Sequence, residues 1–199
     1  MNWLAHVFLS DSDVNHRIGN LVTDLVKARP WEGISEAALR GIENHKVIDS
    51  YTDSHTVVKR SIERLAKRGK LRSVTIDILY DHMLSKNWSE FSSISLNEFL
   101  ANFYQQLESE IKKHPLEIQE FLESIVSNDR LGLYGDLSGV SNALKRIDGR
   151  LSERVIKVES ASQYFDAVIE NYADLESDFL EFFPQLENEV KRHNANRKF

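Results

Sequence analysis

Acids and histidines recur at helical spacing in two stretches of this chain. In GIENHKVIDSYTD, His45, Asp49 and Asp53 follow one another every four residues; in VTIDILYDHML, Asp77 and Asp81 are four apart with His82 adjacent. On an α-helix residues i, i+4 and i+8 share one face, because each residue turns about 100°. A row of unpaired buried carboxylates costs on the order of several kcal/mol. A cation offsets that cost, as does a network of hydrogen bonds. On one motif alone a solvated polar stripe explains His45, Asp49 and Asp53 as well. The second motif is harder to dismiss, because its acids sit among Val74, Ile76, Ile78, Leu79, Tyr80, Met83 and Leu84. Together the two helices predict a divalent-metal site.

The chain has no cysteine, so any metal must be held by imidazole and carboxylate. Such ligands suit Mn²⁺, Mg²⁺ or Fe²⁺ better than structural zinc. A net charge of −6 argues against general nucleic-acid binding. The N-terminal apolar run is too short for a signal peptide, and no stretch approaches the roughly 20 apolar residues of a membrane span. The expectation is a cytoplasmic protein without nucleic-acid or membrane partners. No phosphate loop of Walker or dinucleotide type and no Gly-x-Ser-x-Gly elbow is present.

The elements that must position these side chains read as helices throughout. The 199 residues contain three prolines, no hairpin signal and recurrent 3.6-residue periodicity. Helices are predicted over about 2–9, 14–28, 36–53 (Ser35 as N-cap), 56–68 (closed by Gly69) and 71–88. Ser95 with Glu98 forms a capping box for the next, and Pro115 opens the one after. The Gly/Asp-rich stretch 128–139 reads as a loop, followed by helices over 140–157 and 161–183, the last broken or kinked by Pro184. The expected architecture is an all-α single-domain bundle over 1–191, with a frayed tail at 192–199. His6 lies in the apolar segment WLAHVFL, where a lone histidine is more often a core residue than a ligand, and Asp24 carries a similar expectation. Aromatic stripes such as Phe99/Phe103 and Phe179/Phe182/Phe183 read as core.

The opening MNWLAH, GNLVTD at 19–24, GIENHKVIDSYTDSH at 41–55, DILYDHML at 77–84 with Trp88, and EFFPQL at 181–186 resemble the acyl carrier protein phosphodiesterase family, a divergent branch of the HD-type metal phosphohydrolases. The resemblance runs end to end and is densest over residues 1–90. It implies an HD-like helical fold, a divalent metal, typically Mn²⁺, and hydrolysis of the phosphodiester joining 4′-phosphopantetheine to a serine of holo-acyl carrier protein, a step in lipid and fatty acid metabolism. Where such proteins usually carry arginine after the first motif histidine, this chain has Lys46, and the contiguous His-Asp doublet of the wider superfamily is absent.

On that reading the metal is held by some of His45, Asp77, Asp81, His82 and Asp24. Lys46 helps neutralise the phosphate, and Asp49 orients His45 or acts as general base. His6, Asp53 and His55 lie at the rim. The alternatives are an HD-like phosphohydrolase acting on a nucleotide such as a guanosine polyphosphate, or a helical module that binds acyl carrier protein without cleaving it. Because the resemblance implies an acidic partner, the basic run between the two acid-bearing helices is the expected docking face. Arg60, Arg64, Lys67 and Arg68 share one side of their helix, although a solvated basic face explains them equally well.

Overall fold

Short polar side chains set where the helices begin. Ser35 Oγ accepts a hydrogen bond from the Ala38 N–H at the start of α3 (Glu36–Ser54), and Asp13 does the same for Asn15 at the start of α2 (Val14–Val22). Ser95 Oγ accepts from the Glu98 N–H and opens α7 (Leu96–Glu110), as the capping box predicts. The computed structural model describes residues 1–196. Among them lie twelve α-helices, three short 3₁₀ turns and no strand, so the all-α expectation holds. The other helices are α1 (Trp3–Phe8), α4 (Thr56–Leu65), α5 (Leu71–Lys86), α6 (Trp88–Phe91), α8 (Leu116–Ser127), α9 (Leu137–Asp148), α10 (Glu153–Ile156), α11 (Phe165–Glu170) and α12 (Tyr172–Asn196). No helix among the described residues is long and apolar enough to cross a membrane.

Several boundaries differ from the sequence expectation. The helix expected over 56–68 ends at Leu65, where Ala66 turns to extended backbone, so Gly69 does not close it. The helix expected over 14–28 stops at Val22, and the turns that follow it carry Lys27 and Ala28 in left-handed backbone conformations (φ 53° and 55°), which a continued helix does not allow. The helix over 140–157 begins earlier, at Leu137, where Asp136 caps it, and ends at Asp148. The span 161–183 divides into a 3₁₀ turn, α11 and α12. Pro184 sits inside α12 without ending it; Phe179, Phe182, Phe183 and Leu186 are fully buried on both sides of the proline. Residues 192–196 therefore continue a helix rather than fray, while the rest of the expected tail, 197–199, lies outside the described residues.

The core is aromatic. Phe8, Trp88 and Phe99 meet edge-on or tilted at ring separations of 5.0–6.1 Å, and Phe179 and Phe183 stack at 5.1 Å. What positions the functional side chains, however, is the crossing of α2 on α3. A Cβ at Gly19 would lie 2.0 Å from the Ala38 carbonyl oxygen, and one at Gly41 would lie 2.1 Å from that of His16. Glycine at both places lets the two backbones touch. Asn20, directly after Gly19 on α2, is thereby brought into direct reach of His45, one turn after Gly41 on α3.

Candidate metal centre

His45 is buried on α3 and turns its ring toward α2, where Nδ1 donates to the backbone carbonyl of Asn20 at 2.8 Å. His6, on α1, donates through Nδ1 to the side-chain Oδ1 of the same Asn20, also at 2.8 Å. The Asn20 amide is oriented by its other end, since Nδ2 donates to the His6 carbonyl and to Ser10 Oγ, each at 2.9 Å. Both acceptors are carbonyl oxygens, so both imidazoles carry a proton on Nδ1. Each therefore directs Nε2 into the space between them and Asp49. The rings stack at 4.1 Å with an interplanar angle of 13°.

Asp49, one turn after His45, receives both histidines. His45 Nε2 lies 2.9 Å from Oδ2, and His6 Nε2 lies 3.2 Å from Oδ1. Asp24, at the turn where α2 stops short, places Oδ1 3.4 Å from His45 Nε2 and leaves its carboxylate largely open to solvent. These contacts are close but poorly directed: both Nε2 atoms and Asp49 Oδ1 are buried without a hydrogen bond. Potential ligand atoms of His6, His45 and Asp49 all lie within 4.8 Å of one another. Two imidazole nitrogens and a carboxylate, inward-facing and unsatisfied, are a donor set that fits a divalent cation.

The electrostatics of the site follow from its burial and its acids. Burial alone would lower the pKa of His45, but Asp24 and Asp49 outweigh it and push the imidazole up to about 9. His6 goes the other way, lowered by burial and by its neighbour His45 against the pull of Asp49. Burial opposes ionisation of Asp49, yet His45, His6 and the chain's amino terminus hold it well below the usual carboxylate range. The Met1 amino group is buried beside Asp77 (3.0 Å) and Asp49 (3.6 Å), and these acids more than offset the loss of solvation.

Four of the residues singled out in the sequence thus come together: His45, Asp49 and Asp24, with His6 at the centre rather than the rim. Asp77 reaches the group only through the Met1 amine. Asp53, exposed one turn beyond Asp49, lies at the edge, where burial and the charges of Asp77 and Asp49 raise its pKa against the amino terminus.

The expected ligands Asp81 and His82 are elsewhere. Asp81 is fully buried and accepts hydrogen bonds from the backbone N–H groups of Leu4 (2.8 Å) and Ala5 (3.1 Å), capping α1 from outside because Asn2 provides no cap. His82 turns to another side of α5, with Nδ1 on the Tyr134 carbonyl and Nε2 on the Tyr172 hydroxyl. Lys46 lies on the outer side of α3, paired with Glu43 at 2.7 Å and turned from the cluster. His55 is structural: Nδ1 accepts from the Val57 N–H, and its ring packs on Tyr51 and Phe182.

The basic face is divided. Arg60 and Arg64 both bond the buried Asp178 of α12, and reach Glu181 and Asp174 as well, so they clamp α4 to α12. Lys67 and Arg68, past the end of α4, remain exposed. Asn20 is the residue that sequence reasoning passed over. Its signal was a polar residue amid the apolar stripe of α2, directly after a mid-helix glycine.

The family model for acyl carrier protein phosphodiesterase matches residues 1–186. A Photorhabdus laumondii protein called acyl carrier protein phosphodiesterase is 28% identical over 188 residues, covering 94% of this chain and 93% of its own. Relatives of the same name from Serratia proteamaculans (30% over 197 residues) and Escherichia coli O157:H7 (28% over 194 residues) each align with 96% of this chain and 98% of their own. No solved structure matches the chain. A match that begins at the first residue and runs through Leu186 takes in every member of the cluster, and the chain belongs to the acyl carrier protein phosphodiesterase family.

Proposed function

We propose that this protein is a cytoplasmic, metal-dependent phosphodiesterase of HD-like type that hydrolyses 4′-phosphopantetheine from holo-acyl carrier protein, leaving the apo-protein. The observation that carries the reading is the pair of stacked imidazoles whose Nδ1 protons are held by Asn20 and whose Nε2 atoms converge, unsatisfied, on Asp49. The relatives' shared name supplies the substrate.

In this reading His6, His45 and Asp49 hold the cation, Mn²⁺ by preference with Mg²⁺ and Fe²⁺ as alternatives, and Asp24 stands beside them. When bound, the cation supplies positive charge toward a phosphoryl oxygen and lowers the pKa of water. Asn20 keeps both imidazoles in the tautomer that leaves Nε2 free for it. Asp24, exposed and kept ionised by His45, is placed to take the proton of an attacking water. Attack at phosphorus breaks the bond to the serine oxygen of the carrier protein, and that oxygen leaves with a proton. Asp77 and the Met1 amine hold the far side of Asp49.

The test is incubation with holo-acyl carrier protein and Mn²⁺, followed by intact mass. Loss of the phosphopantetheine mass, abolished by chelation and by His6→Ala, is expected. An unchanged mass with metal bound overturns the reading.

A further inference from the structure

Three arginines converge beside the cluster without an acid between them. Arg130 follows α8, Arg146 lies in the last turn of α9 and Arg150 just beyond it; together they line a cavity of about 260 Å³ with Val74, Ile78 and Ile147 among its apolar walls. None of the three makes an ion pair among the described residues, whereas Arg60 and Arg64 are fully engaged with α12. The nearby acids are otherwise occupied. Asp129 accepts from the Tyr104 hydroxyl, Asp136 caps α9, and Asp148 takes the N–H groups of Ala161 and Ser162. Arg130 also sits over the Trp3 ring at 5.7 Å, and burial together with the charges of Arg150 and Arg146 lowers its pKa. In a chain of net charge −6, holding three uncompensated cations around one cavity works against folding unless something anionic is meant to meet them.

The cavity is also close to the chemistry. Asn2 and Trp3 form its lip, next to the Met1 amine that touches Asp77 and Asp49, and Val74 and Ile78 flank Asp77 on α5. We propose that the Arg130–Arg146–Arg150 cavity docks an acidic protein surface, with carboxylates on the guanidinium groups and an apolar side chain on the wall of Val74, Ile78 and Ile147. This rests on the carrier-protein reading above and says where the body of that substrate sits. Arg146 and Arg150 are exposed and four residues apart, a spacing that suits two carboxylates one helical turn apart. The phosphopantetheine arm itself offers no second anion, since its one charged group is the diester that must reach the cluster. A free phosphomonoester is the competing occupant.

The experiment compares the wild type with Arg146→Glu/Arg150→Glu and with a control of equal charge change, Lys112→Glu/Lys191→Glu, all checked for unchanged helical circular dichroism. Binding of the apo-carrier protein, which has no arm, is measured by titration calorimetry, and KM and kcat are measured with the holo form. The expected result for the arginine variant is at least about a tenfold weaker Kd and higher KM with kcat within about threefold, and a much smaller change for the control. Equal binding by wild type and arginine variant overturns the docking site alone. So does an equal loss in the control, or displacement of the apo-protein by millimolar inorganic phosphate in the wild type. A wild type that neither binds nor cleaves the carrier protein overturns the activity reading itself.

Discussion

The backbone carbonyl of Asn20 receives the Nδ1 proton of His45, while the side chain of the same Asn20 receives that of His6. One residue of α2 thus decides which nitrogen two imidazoles, on two other helices, present to Asp49. It is itself held by Ser10 and by the His6 carbonyl, so the orientation of the site is built into the packing of α1 on α2.

Replacing Asn20 separates these roles. Asn20→Ala keeps the carbonyl that holds His45 but strips His6 of its acceptor and leaves buried polar atoms unpaired. Metal affinity should fall about 10–100-fold, as for other partners of ligating histidines. Stability should fall by about 1–3 kcal/mol. Equilibrium dialysis with elemental analysis and chemical denaturation check both; an unchanged metal Kd would remove Asn20 from the site.

The glycines that bring α2 onto α3 give a second prediction. A methyl group at Gly19 or Gly41 meets a carbonyl oxygen of the facing helix at about 2 Å, and backbone cannot rotate aside as a side chain does. Gly19→Ala and Gly41→Ala should each cost about 1–3 kcal/mol or more, a fall in Tm of several degrees. They should also weaken metal binding by moving Asn20 from His45. Calorimetry showing an unshifted Tm would contradict this account of the crossing.

Much of this was legible in the sequence, and the reason is local. Capping by Ser35 and Ser95 is a short-range effect, and so is the i, i+4 pair His45/Asp49. The failures are long-range. Asp81 and His82 look like ligands because they are acid and imidazole in an apolar helix, but adjacent residues on a helix point about 100° apart, and each found its partner dozens of residues away in α1 or near Tyr134 and Tyr172. Arg60 and Arg64 looked like a free face because Asp178, more than 100 residues later, gives no local sign of pairing with them. His6 looked like core for the same reason: its role depends on Asn20, and no periodicity links the two.

Arg64 and Arg68, neighbours on the sequence-predicted docking face, should now behave differently. Arg64→Glu sets a carboxylate against the buried Asp178 and should lower Tm. Arg68→Glu, exposed, should change stability by no more than about 0.5 kcal/mol. Equal Tm values for the two variants would mean that the Arg64 arm of the α4–α12 clamp contributes nothing.

Asp81 makes stability depend on pH. Burial raises its pKa from 3.8 to about 7, despite the two N–H groups of α1 that favour the carboxylate. Between those values the folded chain keeps a proton that the unfolded chain has lost, so stability falls as pH rises from about 4 to about 7. The contribution is at most about 4 kcal/mol, from about three units at 1.36 kcal/mol each. Asp81→Asn lacks this titration. The stability of the wild type relative to Asp81→Asn should therefore decline across that range in urea denaturation, whereas parallel curves would show that Asp81 does not titrate there.

Metal binding should register in stability as well as in turnover. A cation that binds only the folded cluster stabilises it by RT ln(1 + [L]/Kd), about 2.7 kcal/mol at one hundred times Kd. Mn²⁺ should raise Tm by several degrees and Ca²⁺ by far less at equal concentration, because two imidazole nitrogens suit a transition metal and calcium prefers an all-oxygen cage. His45→Ala should abolish the Mn²⁺ shift. His82→Ala should retain it whatever its own effect on the starting Tm, because His82 bonds Tyr134 and Tyr172 and not the cluster. A Mn²⁺ shift that survives His45→Ala and vanishes in His82→Ala would place the metal on the other side of α5.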